Sequence, residues 1–156
     1  MGYRSDVRII TTKDGFEKMM NYINEELSKK ENENYDNPLN KLDAKEETTN
    51  LIMFGWDWIK YDSLDLSYKL VQDSLKKLEE SNISYSICIN GEEIGDVERY
   101  RFDSEKDKEI KIPVPSIGCK FDDKETKKDL EFAEKELQEY IEETNYEVWM
   151  MEKLWI

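Results

Sequence analysis

The chain has 156 residues, 37 acidic against 23 basic and no histidine, for a formal charge of −14. That length holds one domain, and 38% apolar with 12% aromatic residues is enough for one core and too much for a disordered chain. The acidity disfavours phosphate backbones and anionic lipid as partners and favours basic proteins, while the lack of a ~20-residue apolar run or a signal-peptide core points to a cytoplasmic protein.

In chain order, Val7, Ile9 and Ile10 form a short β-branched strand that ends at Thr11-Thr12, where a hydroxyl followed by Asp14 starts a helix. Phe16, Met19, Met20, Ile23 and Leu27 then recur on one helical face, which predicts a helix to about Lys30. Residues 31–48 are polar, Asn-rich and broken by Pro38; they read as a mobile loop. Leu51 to Ile59 is almost continuously apolar, the pattern of a central strand covered on both faces, with Asp57 its one charge and Gly55 marking a bulge or a close backbone approach. Ser63 is the expected cap of a helix carrying Leu64, Tyr68, Val71, Leu75 and Leu78.

Ile83, Tyr85, Ile87 and Ile89 alternate with small residues, which predicts a strand closed by a turn at Asn90-Gly91. Val97 to Phe102 and Glu109 to Val114 read as further strands, the second placed at an edge by Pro113 and Pro115. Asp122 with Glu125 forms a capping-box analogue for a third helix with a Leu130, Ala133, Leu137, Tyr140, Ile141 stripe and acidic flanks. The tail, Tyr146 to Ile156, is a final strand or an apolar docking segment. Cys88 and Cys119 fit no metal or redox spacing and read as buried thiols.

The order β-α-β-α-β-β-β-α-(β) specifies an α+β single domain over 1–156, a mixed or antiparallel sheet with helices on one face, a ferredoxin-like variant. Residues 31–48 are its loop and 122–156 its acidic helix with an apolar C-terminal segment.

The start Met1-Gly2-Tyr3-Arg4-Ser5-Asp6-Val7, the segment Trp58-Ile59-Lys60-Tyr61-Asp62 and the stretch Ile89 to Glu98 (INGEEIGDVE) resemble a group of small uncharacterised phage and prophage proteins with an MGYRS N-terminus. The resemblance covers residues 1 to 102 in patches and departs from the group's pattern at Asn90-Gly91 and Gly95. It implies a phage origin and brings no catalytic residues with it. Position 6, where N-myristoylation needs Ser or Thr, holds Asp6.

Without histidine, an activated thiol or a phosphate-cradling glycine loop, the sequence offers no catalytic residues and no cofactor site, and we expect no enzyme. Asp57, Asp62 and Asp65, and Glu92, Glu93 and Asp96, carry oxygen ligands for a hard cation but read first as solvated or helix-capping acids, so no metal is assigned. The expected function is a non-enzymatic phage-encoded inhibitor. Its acidic surface would occupy a basic host protein, such as a CRISPR effector or another nucleic-acid-processing enzyme, as a nucleic-acid mimic. Glu131, Glu134, Glu139 and Glu142, placed off the apolar stripe, with Trp149 and Trp155 of the tail, are the expected partner-binding residues. The same tail is the expected seam if the chain forms a homodimer. The alternative is a small regulatory domain that sequesters a nucleotide-type signal with Tyr3, Arg4 and Trp56.

Overall fold

The computed structural model describes residues 3–29, 35–61, 65–105 and 110–154. The elements are β1 (Ser5–Thr12), α1 (Lys13–Leu27), a 3-10 turn at Pro38–Asn40, β2 (Ala44–Glu47), β3 (Leu51–Ile59), α2 (Leu66–Glu80), β4 (Tyr85–Gly91), β5 (Val97–Phe102) and α3 (Asp123–Leu154). They form a five-stranded sheet in the order β2-β3-β1-β4-β5, antiparallel at every pairing. The first four strands with α1 and α2 make the β-α-β-β-α-β unit of ferredoxin-like folds, to which β5 adds a strand and α3 adds a layer.

Both faces of the sheet are buried at its central strands, which is why β1 and β3 are apolar at consecutive positions. Val7, Ile9, Ile52, Phe54 and Trp56 point toward α1 and α2 and meet Met19, Ile23, Val71, Leu75 and Leu78. Ile10, Leu51 and Met53 point the other way, toward Leu130 of α3 and Ile112. The expectation of helices on one face therefore holds for α1 and α2, while α3 crosses the opposite face. Two expected caps are present: Thr12 accepts from the Gly15 amide (3.0 Å), and Asp122 Oδ1 accepts from the Glu125 amide (3.1 Å). The cap of α2 is Asp65, which accepts from the Ser67 amide (3.0 Å); Ser63 lies outside the described residues.

Several boundaries differ from the sequence expectation. The span 31–48 contains the 3-10 turn, capped by the Asn37 side chain, and the edge strand β2, whose AKEE sequence has no apolar alternation because it is short and half covered. Glu109 lies outside the described residues, and 110–116 is not a strand. With Pro113 and Pro115 removing donors, this segment lays Ile112 on the sheet face instead of pairing along an edge, and the Ser86 hydroxyl donates to the Pro113 carbonyl (2.6 Å). β4 runs on through Gly91, and the chain reverses over 92–96 with Gly95 at φ +85°. Cys119 is exposed; Cys88 is buried. The tail to Leu154 is neither strand nor separate segment but the continuation of α3.

Gly55 is a close approach, since a side-chain carbon there would overlap the Val7 carbonyl oxygen. The bulge comes later. The β1–β3 register slips between Val7↔Trp56 and Ser5↔Ile59, and Trp58 takes φ +55°, its amide held by Asp6 Oδ1 at 2.8 Å.

Opposite Gly55 stands Arg8, 4% exposed. Its Nη1 donates to the carbonyls of Val7 and Trp56 (3.1 and 3.2 Å), its Nη2 pairs with Asp57 (2.8 Å), and its Nε pairs with Asp123 at the start of α3 (2.9 Å). The Phe121 ring lies 4.9 Å from the guanidinium carbon. Burial works against the charge, and the two carboxylates more than restore it, so the Arg8 pKa is raised. Removing one member of such a group strands the others without their counter-charge. Arg8→Met should therefore lower stability by about 3 kcal/mol in urea titration; a loss under about 1 kcal/mol would show that apolar packing alone seats α3.

Candidate protein-binding surface

The α3 helix is 32 residues long, about 48 Å at 1.5 Å per residue, and the sheet covers only its first half. Asp123 is tied to Arg8, Lys127 pairs with Glu46 of β2 (3.3 Å), and Thr126, Leu130, Glu134 and Leu137 are buried. Beyond Leu137 no residue of the helix is fully buried.

Glu134 fixes the point where the helix leaves the sheet. Its Oε1 accepts from the Thr48 hydroxyl (2.8 Å) and the Asn50 amide (2.5 Å), and its Oε2 from the side chains of Asn50 and Gln138 (2.9 Å each). Burial alone would raise its pKa, but these hydrogen bonds to the charged form outweigh it and the pKa is lowered. The expectation that Glu134 serves a partner is thus corrected. It lies four residues after Leu130 and three before Leu137, on the apolar stripe itself, and its carboxylate is consumed by the β2–β3 turn.

The same row of positions continues past the sheet as Ile141, Thr144, Val148 and Met151, a spacing of three and four residues that keeps them on one side. There it has nothing to pack on. Ile141 is 38% exposed, and Tyr146, Val148, Trp149, Met151 and Leu154 are more so. Leu137 and Ile141 also line a cavity of about 420 Å³ with Ile83 and Ile110, at the foot of the projecting segment. Flanking the row, residues 138–154 carry five glutamates (Glu139, Glu142, Glu143, Glu147 and Glu152) against one lysine, Lys153. Glu131, Glu139, Glu142 and Trp149 are exposed as expected; Trp155 lies outside the described residues.

The alternative ligand site does not assemble. Trp56 is 1% exposed in the first core and donates its indole N–H to the Pro38 carbonyl (3.0 Å). Tyr3 and Arg4 instead grip the β4–β5 turn: the Tyr3 hydroxyl bonds Asp96 and the Glu93 amide, and the Arg4 amide donates to Glu92 (2.6 Å). Of the acids considered as cation ligands, Asp57 pairs with Arg8, Asp65 caps α2, and Glu92 and Asp96 hold the N-terminal segment, while Asp62 lies outside the described residues; among the described residues no three metal-ligating side chains converge. Among those residues, too, no helix is long and apolar enough to cross a membrane. No family model, curated protein or solved structure matches the chain.

A group whose folded pKa is depressed contributes stability that is present above its unfolded value and lost as pH falls through the folded one. The contribution of Glu134 should therefore be complete well above its ordinary value of 4.5 and decline as pH falls from there through its lowered folded value. Glu134→Gln should cost about 1–2 kcal/mol at pH 6, and its unfolding curve should converge on the wild type at acid pH. Parallel curves at all pH values would exclude a charged, hydrogen-bonded Glu134.

Proposed function

We propose that the protein is a non-enzymatic binding protein that docks a basic protein partner along residues 138–154 of α3. One observation carries this reading: the apolar row that seats the first half of α3 on the sheet continues, exposed and flanked by glutamates, about 25 Å beyond it. A stripe of this kind is a helix-docking surface, and apolar patches rimmed by charge mark interaction sites.

The charge selects the partner. The row has the heptad spacing of a two-stranded pairing, with Ile141 and Val148 at one seam position and Leu137, Thr144 and Met151 at the other. A parallel pairing of two copies, however, would set Glu147 of one against Glu152 of the other within a seam already carrying a surplus of four negative charges per chain. A basic amphipathic surface meets both the row and its flanks, so a hetero-partner is favoured over a homodimer. Occupation of a host nucleic-acid-binding groove by a phage-encoded inhibitor is the biological form of this reading, and the MGYRS resemblance with the −14 charge supports it.

The test separates charge from apolar contact. Immobilised wild-type protein should retain a basic protein at low salt and release it at high salt. The combined Glu139→Lys, Glu142→Lys, Glu143→Lys variant should slow capture about tenfold, chiefly in association, while melting near the wild-type temperature. Val148→Asp should abolish capture with the charge pattern otherwise kept. Undiminished capture by both folded variants would move the binding surface off α3, and a concentration-dependent dimer abolished by Val148→Asp would assign it to self-association.

A further inference from the structure

The opposite face carries a second site that is independent of α3. The α1–α2 layer stops short of β5, leaving a groove of about 480 Å³ between α2 and the β4–β5 pair. Leu75, Ile87 and Ile89 supply its apolar lining, and Tyr61, Gln72, Lys76, Glu79, Tyr85 and Glu98 its polar lining. The antiparallel register places Tyr100 beside Ile87 and Glu98 beside Ile89, so β5 presents Tyr100 and Glu98 on this face.

The hydroxyls of Tyr85 and Tyr100 both donate to Glu79 Oε1, at 2.9 and 2.8 Å, and each has only one proton to give. Those two phenol oxygens are thereby left with lone pairs alone. Oε2 of Glu79 takes no hydrogen bond among the described residues, and the Tyr61 hydroxyl has no partner there either. The Glu79 end of the groove therefore has a surplus of acceptors, the Tyr61 hydroxyl keeping its one proton to donate. Glu98 adds a second carboxylate, and Lys76, exposed at the rim and in no ion pair among the described residues, is the one basic residue in the lining.

We infer that this groove binds an aliphatic cation with N–H donors, a primary ammonium or guanidinium whose apolar stem lies along Leu75, Ile87 and Ile89. A neutral ligand would leave the carboxylates uncompensated, an anion would be repelled, and a quaternary ammonium would bring charge without the protons that the acceptors lack. The rings of Tyr61 and Tyr85 add faces on which a cation is favoured. Lys76 is the built-in competitor that such a ligand displaces.

Titration of the isotope-labelled full chain, followed by amide chemical shifts, tests the site. Agmatine and putrescine represent free amines, and acetyl-arginine methylamide and acetyl-lysine methylamide represent a peptide-borne side chain. Saturable shifts confined to Gln72, Leu75, Glu79, Ile87 and Glu98 are expected, with tetramethylammonium failing to compete. Preference for the capped amino acids would assign a peptide source, and preference for the free amines a metabolite source.

Glu79→Gln keeps an acceptor for both tyrosines while removing the charge, and should weaken binding about tenfold. Tyr61→Phe, which preserves volume, should weaken it severalfold and decides the matter if Glu79→Gln fails to fold. Lys76→Ala should tighten binding by about twofold to threefold, the scale of an exposed ion pair. Glu139→Gln, a control for general attraction to an acidic protein, should change nothing. Wild-type affinity in both Glu79→Gln and Tyr61→Phe, or shifts that spread over α3, would overturn the site.

Discussion

A single guanidinium determines how the two layers of this protein meet. Arg8 sits in the central strand, on the face opposite the α1–α2 layer, at a position an aliphatic side chain would otherwise fill. A charge in that place is tolerable only with compensation from several directions, and it is supplied by two backbone carbonyls, by Asp57 one strand over and by Asp123 at the first position of α3. The result is directional in a way that apolar packing is not. Leu130 would pack acceptably on Ile10 and Met53 over a range of helix azimuths, whereas the fork of Arg8 accepts Asp123 in few. The glycine beside it on β3 belongs to the same arrangement, since at Gly55 the adjacent strand backbones come too close for a side chain.

From that anchor follows the division of α3 into a seated half and a projecting half. The proximal half is held by polar ties at Asp123, Lys127 and Glu134 and by the apolar contacts of Leu130 and Leu137. The distal half repeats the apolar spacing without a surface to receive it. Leu137 and Ile141, which line one cavity, are where the two halves can couple; substitutions farther apart along the helix should add. The fold rests on the proximal stretch of this continuous helix, and the distal stretch is the one we propose for recognition.

Much of this was visible in the residues. Strand β3 announced burial on both faces by its unbroken apolar run, and its one charge, Asp57, is an ion-pair partner of the one charge in the apolar run of β1, Arg8. That pair was readable in principle, but only once β1 and β3 are known to be neighbours. Other features gave no local signal. The β2 strand is four residues of mostly charged sequence whose structure comes from pairing with β3, and the polar composition of 31–48 concealed it. Glu134 looked like one of many surface glutamates, although its position on the Leu130–Leu137 row was a cue that it faces the sheet. Trp56 and Trp58 are two residues apart and lead opposite lives, 1% and 63% exposed, because the bulge at Trp58 breaks the alternation that would have put them on one face. The tyrosines around Glu79 come from β4, β5 and the segment before α2, and their meeting depends on the β4–β5 register.

The spacing of the two polar anchors on α3 has a mechanical consequence. Asp123 and Glu134 are eleven residues apart, about 16 Å along the axis, and Leu154 lies twenty residues beyond Glu134, about 30 Å. The helix is thus a lever with its fulcrum at the β2–β3 turn and its long arm outside the domain. Angular play at the fulcrum is magnified nearly twofold at the tip, and a load on the tip returns to the Arg8 pair with the same advantage. A partner gripping the far end would pull on Arg8, the most deeply buried charged side chain among the described residues.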